Sequence, residues 1–113
     1  MTDPGPESAR SILALNDAFR RTFVGGVVTL TVGVTALASF VRRSILVKVR
    51  AFAEFNEDND PHGEHDFGVV EVEDVKCFWK IDYYDADGET LSPNPADPAV
   101  TTRVLTVMLS DEY

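Results

Sequence analysis

The sequence holds a single cysteine, Cys77, in 113 residues, so no internal disulfide can form. That absence fits a reducing compartment such as the cytoplasm. Histidine is scarce too, with His62 and His65 the only two. No HExxH or CxxC spacing occurs, which removes the compact zinc signatures. Gly25-Gly26 and Gly33 build neither GxxxxGK nor GxGxxG, so no phosphate-cradling loop is present. Trp79 is the one tryptophan, and Cys77 two residues before it has no histidine nearby, which suits a buried structural thiol. The chain also lacks a convincing membrane span. Thr22 to Val41 is uncharged for twenty residues, but it contains four threonines, a serine and three glycines. The start, Met1 to Pro6, shows no basic region followed by an apolar run, so no signal peptide is read there.

Positive charge is scarce in the second half. Residues 1–53 carry seven Lys/Arg against three Asp/Glu, while residues 54–113 carry three against sixteen. The first part is therefore +4 and the second −13, giving the net −9. Such a field repels free nucleic-acid phosphate and draws basic partners. Arg42, Arg43, Lys48 and Arg50 form the one basic cluster, a possible nucleic-acid face that works against the overall field.

A chain of this length forms one domain, expected over residues 8–113 after a flexible tail at 1–7. Ile12, Leu15, Phe19 and Phe23 recur at helical spacing, and Gly25-Gly26 ends that helix. Val27 to Val34 alternates and is β-branched, which predicts a strand. Ser39 to Phe55 carries the stripe Val41, Ile45, Val49 and Phe52 and predicts a second helix. Phe67–Glu73 and Lys76–Tyr84 read as a hairpin, with Cys77, Trp79, Ile81 and Tyr83 on one face. Asp97-Pro98 has the chemistry of a helix start and predicts a last helix from Pro98 to Asp111. The expected fold is α+β in the order α-β-α-β-β-α, a small antiparallel sheet of about three strands with helices packed on one face.

Asn59-Asp60-Pro61-His62-Gly63-Glu64-His65-Asp66-Phe67-Gly68 gathers both histidines, three carboxylates and two glycines. His62, Glu64, His65 and Asp66 have the donor atoms for a divalent metal, and a metal-assisted hydrolase would use them. The start Asp58-x-Asp60 echoes an EF-hand, but its twelfth position is Val69. Glu64, His65 and Asp66 are adjacent, so acid–base work needs a partner from elsewhere, with Asp82, Tyr83 or Arg103 available. The structural alternative is a loop held by its own hydrogen bonds, with Pro61 and Gly63 setting its dihedrals. The aromatic and acidic run through Asp82, Tyr84 and Asp85 suits contact with a partner.

Four blocks resemble one family. They are Leu15-Asn16-Asp17-x-Phe19-Arg20 with Gly25-Gly26, the Asn59–Gly68 run, Trp79-Lys80-Ile81-Asp82-Tyr83-Tyr84-Asp85, and Thr102 to Leu109 closing on Glu112-Tyr113. In these the chain resembles domain of unknown function 3768, a family of alphaproteobacteria and their plasmids. The resemblance implies a small soluble stand-alone protein and no particular activity. Small acidic proteins on mobile elements are often inhibitors of host defence, of the anti-restriction or anti-CRISPR kind, that occupy basic nucleic-acid grooves as DNA mimics. By that analogy the expected role is a non-enzymatic binding module needing no cofactor. Asp58, Asp60, Glu64, Asp66, Asp82, Tyr84 and Asp85 would meet a basic protein surface. A metal-assisted hydrolase and an orphan regulator binding nucleic acid through Arg42–Arg50 are the alternatives.

Overall fold

The computed structural model describes the chain from Pro6 to Tyr113. Helix α1 spans Pro6–Thr22, strand β1 Val27–Leu30, a single helical turn α2 Val32–Thr35, and helix α3 Ser39–Ala51. Strands β2 (Phe67–Val72), β3 (Val75–Tyr84) and β4 (Thr102–Leu109) follow, with 3-10 turns at Pro98–Val100 and Ser110–Glu112. The expected tail at 1–7 lies mostly outside the described residues, and its last two, Pro6 and Glu7, belong to α1.

The α+β class is observed, but the sheet differs from the expectation. Among the described residues it has four strands in the order β1-β4-β3-β2, and it is mixed. β2–β3 and β3–β4 are antiparallel, while β1 runs parallel to β4 from Val27↔Val104 to Leu30↔Val107. The correction comes from the last element. Asp97 does cap a helical start, accepting from the Ala99 N–H at 2.9 Å, but only one 3-10 turn follows. From Thr102 the burial alternates, with Arg103, Leu105 and Val107 inside and Val104 and Thr106 half-exposed. That period of two, in a β-branched run, belongs to a strand; Met108 at 4% exposure is covered on the other face.

The predicted strand from Val27 to Val34 is also shorter than expected. Glu112 takes the backbone out of the sheet. Its carboxylate accepts from the Thr31 hydroxyl at 2.6 Å and the Gly33 N–H at 3.0 Å, and the chain turns into α2. Gly26 lets β1 begin where it does. A Cβ there would lie 2.5 Å from the Arg103 carbonyl and 2.8 Å from the Phe19 ring.

Helices α1, α2 and α3 cover one face. Phe19, Val34, Val41, Ile45 and Val49 pack on Val70, Cys77, Trp79, Ile81, Leu105 and Val107. The register places these strand residues on a common side. Burial raises the Cys77 thiol's pKa, as suits a core position. α3 stops four residues short of the expected end. Phe52 and Phe55 then turn back onto Trp79, with ring centroids 5.5 and 6.1 Å away. On the uncovered face Phe78 meets Phe67 and Tyr113 at 5.5 and 5.2 Å. Among the described residues no helix is long and apolar enough to cross a membrane.

Candidate functional site

The histidine-bearing loop, residues 52–66, leaves α3 and enters β2 at Phe67. Its fold begins with Asp60, whose Oδ1 accepts from the Glu64 and His65 N–H groups at 3.0 and 3.1 Å. This closes a tight turn in which Gly63 has φ +67 and His65 φ +55. The first is ordinary for glycine. The second places a non-glycine residue in the left-handed region, which holds only where surroundings fix it.

The surroundings of His65 are specific. Its ring stacks on Phe55 at 3.8 Å with the planes 3° apart. Its Nδ1 lies 2.9 Å from Asp17 Oδ1, so the hydrogen sits on Nδ1 and is donated to the carboxylate. The same Asp17 oxygen accepts from Arg20 Nη2 at 2.9 Å. Arg20 is fully buried and also donates to the Val49 and Arg50 carbonyls at 3.1 and 3.0 Å. Its guanidinium lies 5.5 and 5.4 Å from the Phe55 and Trp79 ring centroids. Burial lowers its pKa, and the hydrogen bond to Asp17 opposes that shift.

A second polar knot adjoins the first through Glu64. Buried Asn16 donates to the Glu64 carbonyl at 2.9 Å and to the Tyr83 hydroxyl at 2.8 Å. The Tyr83 hydroxyl in turn donates to Glu64 Oε2 at 2.9 Å. Arg103 Nε donates to Asn16 Oδ1 at 2.8 Å, and its other end reaches the Pro95 carbonyl. Burial, first of all, pushes the Tyr83 phenol well above its ordinary pKa. Asp66 holds the edge of the sheet, its carbonyl accepting the Ile81 N–H at 2.8 Å. Burial, with Glu64 next, raises its carboxyl's pKa.

Tyr83 and Arg103 therefore do come to the loop, Tyr83 directly on Glu64 and Arg103 through Asn16. Asp82 does not. It points to the other face and pairs with Lys80 at 3.2 Å. Sequence reasoning missed Asn16, Asp17 and Arg20. The signal was present, because Asn16 and Arg20 stand at helical spacing from Ile12, in phase with an apolar stripe.

The metal candidates do not form one ligand set. His62 is exposed, Glu64 is turned to Tyr83, and His65 Nδ1 is engaged by Asp17. Asp60 Oδ2 lies 3.7 Å from His65 Nε2, across the ring from Asp17, so the two carboxylates cannot share an ion with it. Among the described residues no three His, Cys, Asp or Glu side chains are grouped to hold a metal. Two cavities of the structure line α3, and neither includes a residue of these polar knots. The arrangement joins α1, the loop and the sheet.

The partner-contact residues divide. Asp58 is exposed. Asp60 and Glu64 are engaged internally, as given above. Asp82, Tyr84, Asp85 and Asp66 are half-buried, and the Asp85 carboxylate accepts from the Ala86 N–H at 2.7 Å. The register then decides where the acidic segments lie. β2 begins where β3 ends, Phe67 opposite Lys80, and β4 begins opposite Tyr84. The 52–66 loop and the 85–101 connection thus sit at the same end of the sheet. Glu54, Glu57, Asp58, Asp87 and Glu89 are exposed there, and neither segment contains a Lys or Arg. A smaller group, Glu73, Asp74, Asp111 and Glu112, lies at the opposite end.

The model of the family described as Protein of unknown function (DUF3768) matches residues 30–112. The Asn59–Gly68, Trp79–Asp85 and Thr102–Leu109 blocks fall inside that match, while Asn16, Asp17 and Arg20 precede it. No curated protein and no solved structure matches the chain.

Proposed function

The chain belongs to the DUF3768 family, and we propose that it is a non-enzymatic binding module whose acidic end docks on a basic protein surface. One observation carries this reading. Two segments without any Lys or Arg emerge side by side at one end of the sheet, bearing exposed Glu54, Glu57, Asp58, Asp87 and Glu89. Among the described residues none of these five makes an ion pair. Coulomb attraction at such an end speeds encounter with a cationic surface and weakens as salt screens it. The internal bonds of Asp60, Glu64, His65 and Tyr83 support the same reading, because they make the loop a rigid platform. Docking then costs little ordering entropy.

The partner that fits best is a cytoplasmic nucleic-acid-handling complex of a bacterial defence system. Its phosphate-binding groove has the charge and shape that clustered carboxylates can occupy. The test is competition. The chain is titrated against candidate complexes at low and high salt, with and without duplex DNA. Binding that weakens with salt, is displaced by DNA and is lost on reversing Glu57, Asp58, Asp87 and Glu89 to lysine is the expected result. Salt-independent binding by both forms would overturn it.

A further inference from the structure

β2 is the terminal strand of the sheet, so among the described residues one side of its backbone has no strand beside it. The bond from the Ile81 N–H to the Asp66 carbonyl sets the alternation. Even-numbered residues of β2 bond to β3, and Phe67, Val69 and Glu71 turn their amides outward. The outward direction is visible at Glu71, whose carbonyl accepts from Lys48 Nζ at 2.7 Å. α3 runs beside this edge. A groove of about 370 Å³ between them is lined by Lys48, Ala51, Phe52, Glu54 and Val69. Through Lys48 it continues along the helix past Val47, Arg43 and Phe40. Phe40 is 63% exposed and Val47 58%, large for apolar side chains on a helix that otherwise packs well.

We propose that this groove takes an extended acidic segment of a partner protein, added as a strand to the outer edge of β2. The backbone of Phe67 and Val69 would supply the ladder bonds, and alternate side chains would enter under α3. Charge selects the occupant. Arg43 and Lys48 are exposed at the helix side of the groove, and among the described residues neither pairs with a carboxylate. Glu54 stands at the other end. An acidic side chain therefore lies toward Arg43 and away from Glu54, which fixes its place along the groove. A second copy fits less well. Pairing two β2 edges about a two-fold axis would bring two α3 helices together with their cations facing.

The test is NMR titration of the whole isotope-labelled chain with short, terminally blocked peptides. The panel alternates valine with glutamate, lysine or serine. The glutamate peptide is expected to shift the Phe67 and Val69 amide signals, and the lysine peptide is not. N-methylating the glutamate peptide at alternate residues should abolish the effect, since a strand needs those N–H groups. Lys48→Glu should weaken the glutamate peptide by about tenfold, while leaving an exposed site folded. Val69→Pro, with its outward N–H removed, should lose binding as well. Four results would overturn the proposal: no shift with any peptide, equal shifts with lysine and glutamate peptides, shifts indifferent to N-methylation, or edge-amide shifts that grow with protein concentration alone. The last, with sedimentation as a dimer, would assign the edge to a second copy.

Discussion

Asn16→Ala removes one buried side chain and leaves three partners without it. The Tyr83 hydroxyl keeps its donation to Glu64, and the Glu64 carbonyl lies at a half-exposed loop that water reaches. Each of these two losses should cost at most about 1 kcal/mol. Arg103 is different. Its Nε is part of a charged group only 3% exposed, and Asn16 Oδ1 is its partner. An orphaned buried donor on a charged group costs about 2–3 kcal/mol. The expected loss is about 2–5 kcal/mol, against about 5–15 kcal/mol for a whole domain, and a fall in Tm of about 8–25 °C. Urea unfolding followed by the fluorescence of Trp79, the sole tryptophan and fully buried, reads it directly. The midpoint should fall with the slope unchanged. A loss below about 1 kcal/mol would refute the claim that these polar knots hold helix, loop and sheet together.

Asp17→Ala should cost about 3–5 kcal/mol by the same assay, because Arg20 would stay buried without its carboxylate; a near-neutral result would mean that Arg20 is held by its carbonyl partners alone. Gly68→Ala should cost about 1–3 kcal/mol, since a Cβ there would meet Trp79 Nε1 at 2.5 Å and the Phe52 ring at 2.8 Å. Asp66→Asn should stabilise the protein at neutral pH. Burial raises that carboxyl's folded-state pKa, so its contribution is present below the unfolded value and lost as pH rises through the folded one. The gap between variant and parent should close in acid, and a gap independent of pH would contradict the assignment.

Much of the frame was legible from periodicity. Ile12 and Phe19 of the α1 stripe, the α3 stripe through Val41, Ile45 and Val49, and the hairpin near Asp74 all follow from spacing that burial then reproduces, while Leu15 is half-buried and Phe23 lies past the end of α1. The faces of β3 were legible too, because Cys77, Trp79 and Ile81 alternate with partly wetted neighbours. β4 was misread because a genuine cap at Asp97 and Pro98 starts a helical turn, and the apolar residues beyond it fit either period. β1 was legible as a strand, but its parallel pairing with β4 was not, since nothing local in Val27–Leu30 encodes a neighbour more than seventy residues away. The site shows the same division. The loop stood out by composition, and Tyr83 and Arg103 were available as partners for it. Spacing marked Asn16 and Arg20 as inward-facing, but what they and Asp17 bond depends on how α1 packs. The acidic asymmetry was plain in the sequence, but only strand register brings its two main segments to one end.

The most direct test of that acidic end is quantitative capture from cells that encode the chain. Parent protein would be compared with a variant carrying lysine at Glu57, Asp58, Asp87 and Glu89. The account predicts a nucleic-acid-binding partner retained by the parent, released by salt or duplex DNA, and absent with the variant. Equal retention by both, indifferent to salt and DNA, would contradict it.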